Sequence, residues 1–259
     1  MVSRTAGLRD FAFRLRYGFR GAPVDLLGRT FRLDESLRRW SAGSEEAVLR
    51  SIASILRPGD AFIDVGANFG FHTLVGASCV GDSGMVVAIE PVPANCALLR
   101  RNVALNGFDR CVRIVAMAAS DAAGQRVALH GVQEGVSVAA SIARHEGCGS
   151  AIVVETTTLD ECLASIDAPL RLVKIDVEGA EHAVIRGAER MLRERRPMLL
   201  VEVHEFALPD FGSSARDFRE HLERLGYEEQ RIDSVRGPEG DYYHALYRPQ
   251  AGPDRAAAR

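Results

Sequence analysis

Short apolar runs alternate with amphipathic stretches along most of the chain. Ser44-Glu45-Glu46 reads as an N-cap with early acids, opening a helix that stops before Pro58-Gly59. The run 61–65 reads as a buried strand, 69–80 as a helix, 85–90 as a second strand, 94–106 as a second helix and 112–116 as a third strand. Segments 126–130 and 152–157 read as a hairpin-like pair. The polar stretch between them, 133–150, is a candidate substrate lid. A strand at 170–176, a helix at 181–193, a strand at 198–203 and a helix at 216–225 follow. Two strands, 227–235 and 242–247, are joined by Gly237-Pro238-Glu239-Gly240. This order predicts an α/β fold with a mostly parallel, doubly wound sheet and an antiparallel C-terminal strand pair. The domain reading is a basic N-terminal segment (1–40), one folded domain (41–248) and a disordered tail (249–259).

Composition narrows the class. A chain of 259 residues suits a single α/β domain, and 47% hydrophobic with 26% charged residues excludes a disordered or fibrous protein. A net charge of −3 argues against a surface that wraps nucleic acid. No apolar run approaches the roughly 20 residues of a membrane span, and the N-terminus holds no signal-peptide core. The five cysteines form no C-x-x-C, which argues against disulfides and zinc and fits a reducing cytoplasm. Residues 1–39 carry nine arginines against four acids. That segment reads either as an edge helix with its arginines in water or as a weak membrane-surface contact.

The chemistry begins at Asp64-Val65-Gly66-Ala67-Asn68-Phe69-Gly70, where the first strand runs into a helix. Ligands of doubly wound sheets bind at such turns. Asn68 stands where a dinucleotide fingerprint needs its second glycine, and no G-x-x-x-x-G-K-[ST] occurs, so neither NAD nor a nucleotide phosphate is expected. D-x-G-x-N-x-G fits a nucleoside ligand without phosphates, S-adenosylmethionine being the common one. Asn tolerates the left-handed backbone such a turn demands. Glu90 closes the second strand, placed to accept hydrogen bonds from both ribose hydroxyls, with a helix-capping acid as the alternative.

Further blocks follow in order: Glu90-Pro91, Asn102 and Asn106, Ala119-Ser120-Asp121, Thr158-Leu159-Asp160, Lys174-Ile175-Asp176-Val177-Glu178-Gly179-Ala180-Glu181, and Glu202-Val203-His204. Together with the loop they resemble the FkbM family of S-adenosylmethionine-dependent methyltransferases over roughly 45–204. The resemblance implies a Rossmann-like class I methyltransferase fold. It also implies O-methylation of a hydroxyl on a sugar, glycolipid or polyketide-type natural product. By position, Asp64, Gly66, Asn68 and Gly70 would cradle the methionine end and ribose, Glu90 would hold the ribose, and Ser120 and Asp121 would lie beside the adenine. Asp121 reads equally as a turn acid in 120–124. His72 departs from the aromatic residue the resemblance leads one to expect, and reads as a packed helix residue.

Strand alternation puts Lys174 and Asp176 on one face at a carboxyl end, with Glu202 and His204 sharing a face on the next strand. Of 32 basic residues, Lys174 is the one lysine. Lys174, Asp176 and His204 are the candidate catalytic residues, with Asp176 also beside the cofactor. His204 is the general base by intrinsic pKa and Asp176 the alternative. A structural ion-pair network is the competing reading for Lys174. The carboxylates could also hold Mg2+, but nothing in the spacing requires a metal. The expected partner is a small-molecule or glycolipid acceptor, not nucleic acid. N- or C-methylation, including of RNA, and a catalytically silent cofactor-binding protein are the rival functions; no N-P-P-[YF] block follows the fourth strand.

Overall fold

The computed structural model describes residues 17–18, 20–37, 45–132, 150–236 and 240–250. In chain order the elements are β1 (Ala22–Leu26), β2 (Arg29–Leu33), α1 (Glu46–Ile55), β3 (Ala61–Val65), α2 (Phe71–Val80), β4 (Met85–Ile89) and α3 (Pro93–Leu105). Next come β5 (Val112–Val115), β6 (Ala118–Ala119), β7 (Arg126–Val132), β8 (Ser150–Thr157), α4 (Leu159–Cys162) and β9 (Leu170–Ile175). The chain continues through α5 (Glu181–Arg186), α6 (Glu189–Arg195), β10 (Met198–His204), α7 (Ala215–Arg224), β11 (Tyr227–Arg231), β12 (Val235–Arg236) and β13 (Asp241–Pro249).

The main sheet has the order β11-β13-β10-β9-β3-β4-β5, with β12 paired onto β13. Strands β10, β9, β3, β4 and β5 are parallel, while β13 runs antiparallel to β10 and β11. The chain goes from β3 outward to β4 and β5, then returns to β9 on the other side. The topological switch therefore lies between β3 and β9, and a crevice opens at their carboxyl ends.

Both faces of the sheet are covered, which is why its strands read as unbroken apolar runs. Ile63, Val65, Val173 and Ile175 pack with Val184, Met191, Phe218 and Leu222 in one layer. The alternate positions Phe62, Leu172 and Leu200 pack with Val48, Ile52, Leu74 and Leu33 in the other. Asp64, Lys174 and Glu202 continue this second set toward the carboxyl ends. Their face is set by the same alternation that buries Phe62, Leu172 and Leu200.

Three local expectations change. The segment read as a basic extension contributes the β1–β2 hairpin, whose Leu26, Phe31 and Leu33 enter the core. Asn106 bonds both the N–H and the carbonyl of Arg32, and Asn102 accepts from Asp34 N while donating to Phe69 O. These two asparagines fasten the hairpin and the 64–70 loop to α3. The helix expected at 181–193 is split at Gly187, where a Cβ would stand 2.0 Å from Ser120 O. Asp160 then accepts from Arg190 N and Met191 N, capping the second half. The strand expected at 227–235 is interrupted after Arg231.

The basic stretch through residue 16, residues 133–149 of the proposed lid (133–150) and residues 251–259 of the expected tail (249–259) lie outside the described residues, while Pro249 closes β13. Among the described residues no helix is long and apolar enough to cross a membrane.

Candidate active site

Strand β3 delivers the 64–70 loop to the switch point. Asp64 is fully buried and accepts from Thr73 Oγ1 at 2.6 Å. At Gly66, with φ 75°, a Cβ would meet Asp176 O at 1.8 Å, so only a bare backbone passes beneath the end of β9. Asn68 adopts φ 51°, the left-handed turn expected of it. Gly70 forms the N-cap of α2.

Glu90 is buried at the end of β4. Its Oε2 accepts from Asn68 N at 2.9 Å, and its Oε1 accepts from Val92 N at 2.8 Å and Asn95 Nδ2 at 3.3 Å. Burial pushes this carboxyl up to about 7, although the backbone donors at Val92 and Asn68 pull the other way.

Gly66, Asn68 and Glu90 line a cleft of about 650 Å³, counted with its open mouth, together with Asp176, Val177 and Glu178; Asp64 and Gly70 stand behind its lining residues. Asn68 Oδ1 is buried there without a hydrogen-bond partner, a polar atom that suits a polar ligand. Ala118, Ala119 and Leu129 line it as well. Ser120 and Asp121 are not among the lining residues. Asp121 Oδ2 accepts from Arg186 Nε and Nη2 at 3.1 and 3.0 Å, and Ser120 Oγ lies 3.3 Å from Asp121 Oδ1.

Beyond the cleft the side chains are charged and tightly paired. Lys174 is 2% exposed; its Nζ donates to Asp176 Oδ2 at 3.0 Å and lies 3.5 Å from Gly66 O and 3.9 Å from Asp64 Oδ1. Burial alone would lower its pKa, but Asp176 and Asp64 more than offset that and raise it. The lysine is therefore a fixed cation shared by the cofactor loop and the acid cluster.

His204 Nδ1 donates to the fully buried Glu181 at 2.7 Å. Its Nε2 lies 3.3 Å from Glu178 and 3.4 Å from Glu202. Burial disfavours the imidazolium, yet Glu181 and Glu202, with Asp176 nearby, hold its pKa up to about 11. These surroundings favour the doubly protonated imidazolium, so the expectation of His204 as a neutral general base does not match them. Glu202 is held between two imidazoles: burial raises its pKa, but His204 and His244 together pull it well below the usual carboxylate range.

Three participants were not singled out as site residues. Glu181 stood in the quoted motif without a role. Glu45, expected only as an early helix acid, pairs with His72 at 3.1 Å, and that contact lowers its pKa. His244 pairs with Glu202 at 3.1 Å and Asp233 at 2.7 Å. Its place follows from the β10–β13 register, in which Glu202 faces His244, and no local signal announces it.

A switch-point crevice with a bare turn and a buried acid at the next strand end is the ligand site of a doubly wound α/β fold, of the kind that takes a nucleoside. Residues 64–229 match the model of the methyltransferase FkbM domain, and the chain belongs to that family. The matched segment is thus a methyltransferase domain. The 31-O-demethyl-FK506 methyltransferase FkbM of Streptomyces tacrolimicus is 29% identical over 178 residues, which cover 58% of this chain and 67% of that protein. The protein-L-isoaspartate O-methyltransferase 1 of Archaeoglobus fulgidus is 35% identical over 60 residues, 23% of this chain. The chain thus spans only 28% of the length of that curated relative. A solved structure described as an rRNA methylase of Clostridium thermocellum superimposes with a TM-score of 0.54 at 12% identity, covering 81% of this chain and 97% of that one, a likeness of fold.

Proposed function

We propose that this protein moves the methyl group of S-adenosylmethionine to a hydroxyl of a small-molecule acceptor in the cytoplasm, on a sugar, glycolipid or polyketide-type scaffold. The observation that carries the reading is the meeting of cofactor cleft and charged cluster at Asp176. That residue lines the cleft, packs its carbonyl over Gly66 and receives Lys174 on its carboxylate.

Gly66, Asn68 and Gly70 offer the backbone path for the cofactor, with Glu90 beside the ribose. When bound, the cofactor supplies a methyl on a sulfonium; the carbon–oxygen bond forms as the carbon–sulfur bond breaks, with the electron pair left on sulfur. The chain's part is alignment and proton transfer. Asp176 and Glu178 both line the cleft and are the carboxylates placed to take the hydroxyl proton. Lys174 fixes Asp176, and His204 holds Glu178 and Glu202 in place. The acids at Glu45, Asp176, Glu178 and Glu202 make this side a poor host for a phosphate backbone, which favours a small hydroxylated acceptor over RNA.

The test is transfer of a labelled methyl group from S-adenosylmethionine to three substrate sets: hydroxylated small molecules, RNA and peptides. Label that enters a small molecule and survives alkali, as an ether does and a carboxyl methyl ester does not, is the expected result. Label confined to RNA or lost in alkali would overturn the reading.

A further inference from the structure

We propose that Asp176, Glu202 and His204 form a binding site for a divalent first-row cation of the Mn2+ or Zn2+ kind at the edge of the cofactor cleft. The cation's role rests on the methyl transfer proposed above; its binding does not. One oxygen from each carboxylate and one imidazole nitrogen lie within 4.8 Å of one another.

What separates these residues from an ordinary charged cluster is how each is held from behind. Lys174 Nζ takes Asp176 Oδ2 at 3.0 Å. His244 Nε2 takes Glu202 Oε2 at 3.1 Å, and is itself fixed by Asp233 on its other ring nitrogen at 2.7 Å. Glu181 takes His204 Nδ1 at 2.7 Å, and its same oxygen accepts from Gly179 N at 3.0 Å. Glu202 Oε1 and His204 Nε2 are thereby turned toward each other. A carboxylate on the far nitrogen of an imidazole is the outer-shell arrangement that orients a histidine toward a metal.

The distance agrees. His204 Nε2 lies 3.4 Å from Glu202 Oε1. A charge-assisted hydrogen bond is shorter, about 2.7–2.9 Å. Two ligand atoms, each about 2.1 Å from one ion at right or tetrahedral angles, stand about 3.0–3.5 Å apart. One imidazole with two carboxylates suits Mn2+ or Zn2+ better than Mg2+ or Ca2+, which favour oxygen ligands.

Asp176 also lines the cofactor cleft, so an ion here borders the space where the acceptor must sit. It would take the acceptor oxygen as a further ligand and make its hydroxyl more acidic. Glu178, which also lines the cleft, is then left to receive that proton. In this state the ion replaces the proton on His204 Nε2.

The site is tested on the full chain, freed of metal with a chelator and titrated with Mn2+ while electron paramagnetic resonance reports the free ion. About one Mn2+ per chain, held at micromolar concentration and displaced by Zn2+, is the expected result. Glu202→Gln preserves shape but removes a ligand charge; it should weaken Mn2+ at least tenfold while S-adenosylhomocysteine affinity stays within about twofold. Should that variant fail to fold, Co2+ added to the unaltered protein serves instead, its visible absorption reporting whether nitrogen and oxygen ligands surround the ion. A free-ion signal undiminished at millimolar Mn2+, equal binding by Glu202→Gln, or a Co2+ spectrum of the hydrated ion would each overturn the site. Calorimetry with S-adenosylhomocysteine on the same sample separates the two readings. Mn2+ bound without the nucleoside would spare the site and sink the proposed function.

Discussion

The two halves of the crevice are built on opposite plans. The cofactor half, from Gly66 to Glu90, works mainly through backbone: a bare turn, a left-handed asparagine and one buried carboxyl that gathers main-chain donors. The acceptor half works through side-chain charge, with acids held by Lys174, His204 and His244. Backbone recognition fixes a ligand's shape whatever the side chains around it. A network of buried charges fixes the positions of its own members, and losing one leaves the others exposed to the full cost of burial. The first plan suits a constant ligand, and the second concentrates adjustable chemistry where the acceptor arrives.

The sharpest way to break this contrast is Lys174→Met. Removing the cation leaves the fully buried Asp64 and its neighbour Asp176 facing each other. The expected loss is about 3–5 kcal/mol of folding stability in a denaturant titration. A loss under about 1 kcal/mol would mean that the acceptor half does not depend on its ion pairs.

Glu90→Gln tests the other half. Its carboxyl has an ordinary value of 4.5 and about 7 when folded, so the folded state binds the proton more tightly. The cost of its charge is absent below pH 4.5 and fully present above pH 7; stability falls as pH rises across that window, by about 3 kcal/mol. In the cofactor-free protein, Glu90→Gln should flatten this fall when unfolding is measured at pH 5 and pH 8. Affinity for S-adenosylhomocysteine should drop by about 1.5–3 kcal/mol through lost charge-assisted hydrogen bonds. Parallel stability curves and an unchanged dissociation constant would return Glu90 to a helix-capping acid.

The smallest expected effect is that of Asp121→Ala. Its partner Arg186 is partly exposed, and surface pairs contribute about 0–1 kcal/mol. Cofactor affinity should stay within about threefold. A loss beyond tenfold would place this acid beside the adenine and extend side-chain recognition into the cofactor half.

The alternation of strands and helices was legible because a strand buried on both faces must be apolar throughout, and β3 is buried at every position. The cofactor loop was legible because its turn chemistry is local: Asn68 carries its own conformational preference. The β1–β2 hairpin was hidden by arginines, since Arg29 and Arg32 are exposed while Phe31 and Leu33 go inward. The break at Gly187 was hidden because its cause, the backbone at Ser120, arrives from a distant loop. The protonation of His204 was beyond reach for the same reason. Intrinsic pKa speaks for a base, and only the convergence of Glu181, Glu202 and Asp176 reverses that.

Strand β13 lies between β10 and β11, both of which precede it in the chain. The sheet therefore cannot grow by adding strands in the order they are made. β11 has no place until β13 has threaded in beside β10, a pairing of distant segments of the kind that slows folding. The same event brings His244 to Glu202, so a chain caught before it would have its nucleoside loop formed and its charged cluster incomplete. Ligand binding and turnover would then appear at different times during refolding, with the second waiting on one late strand.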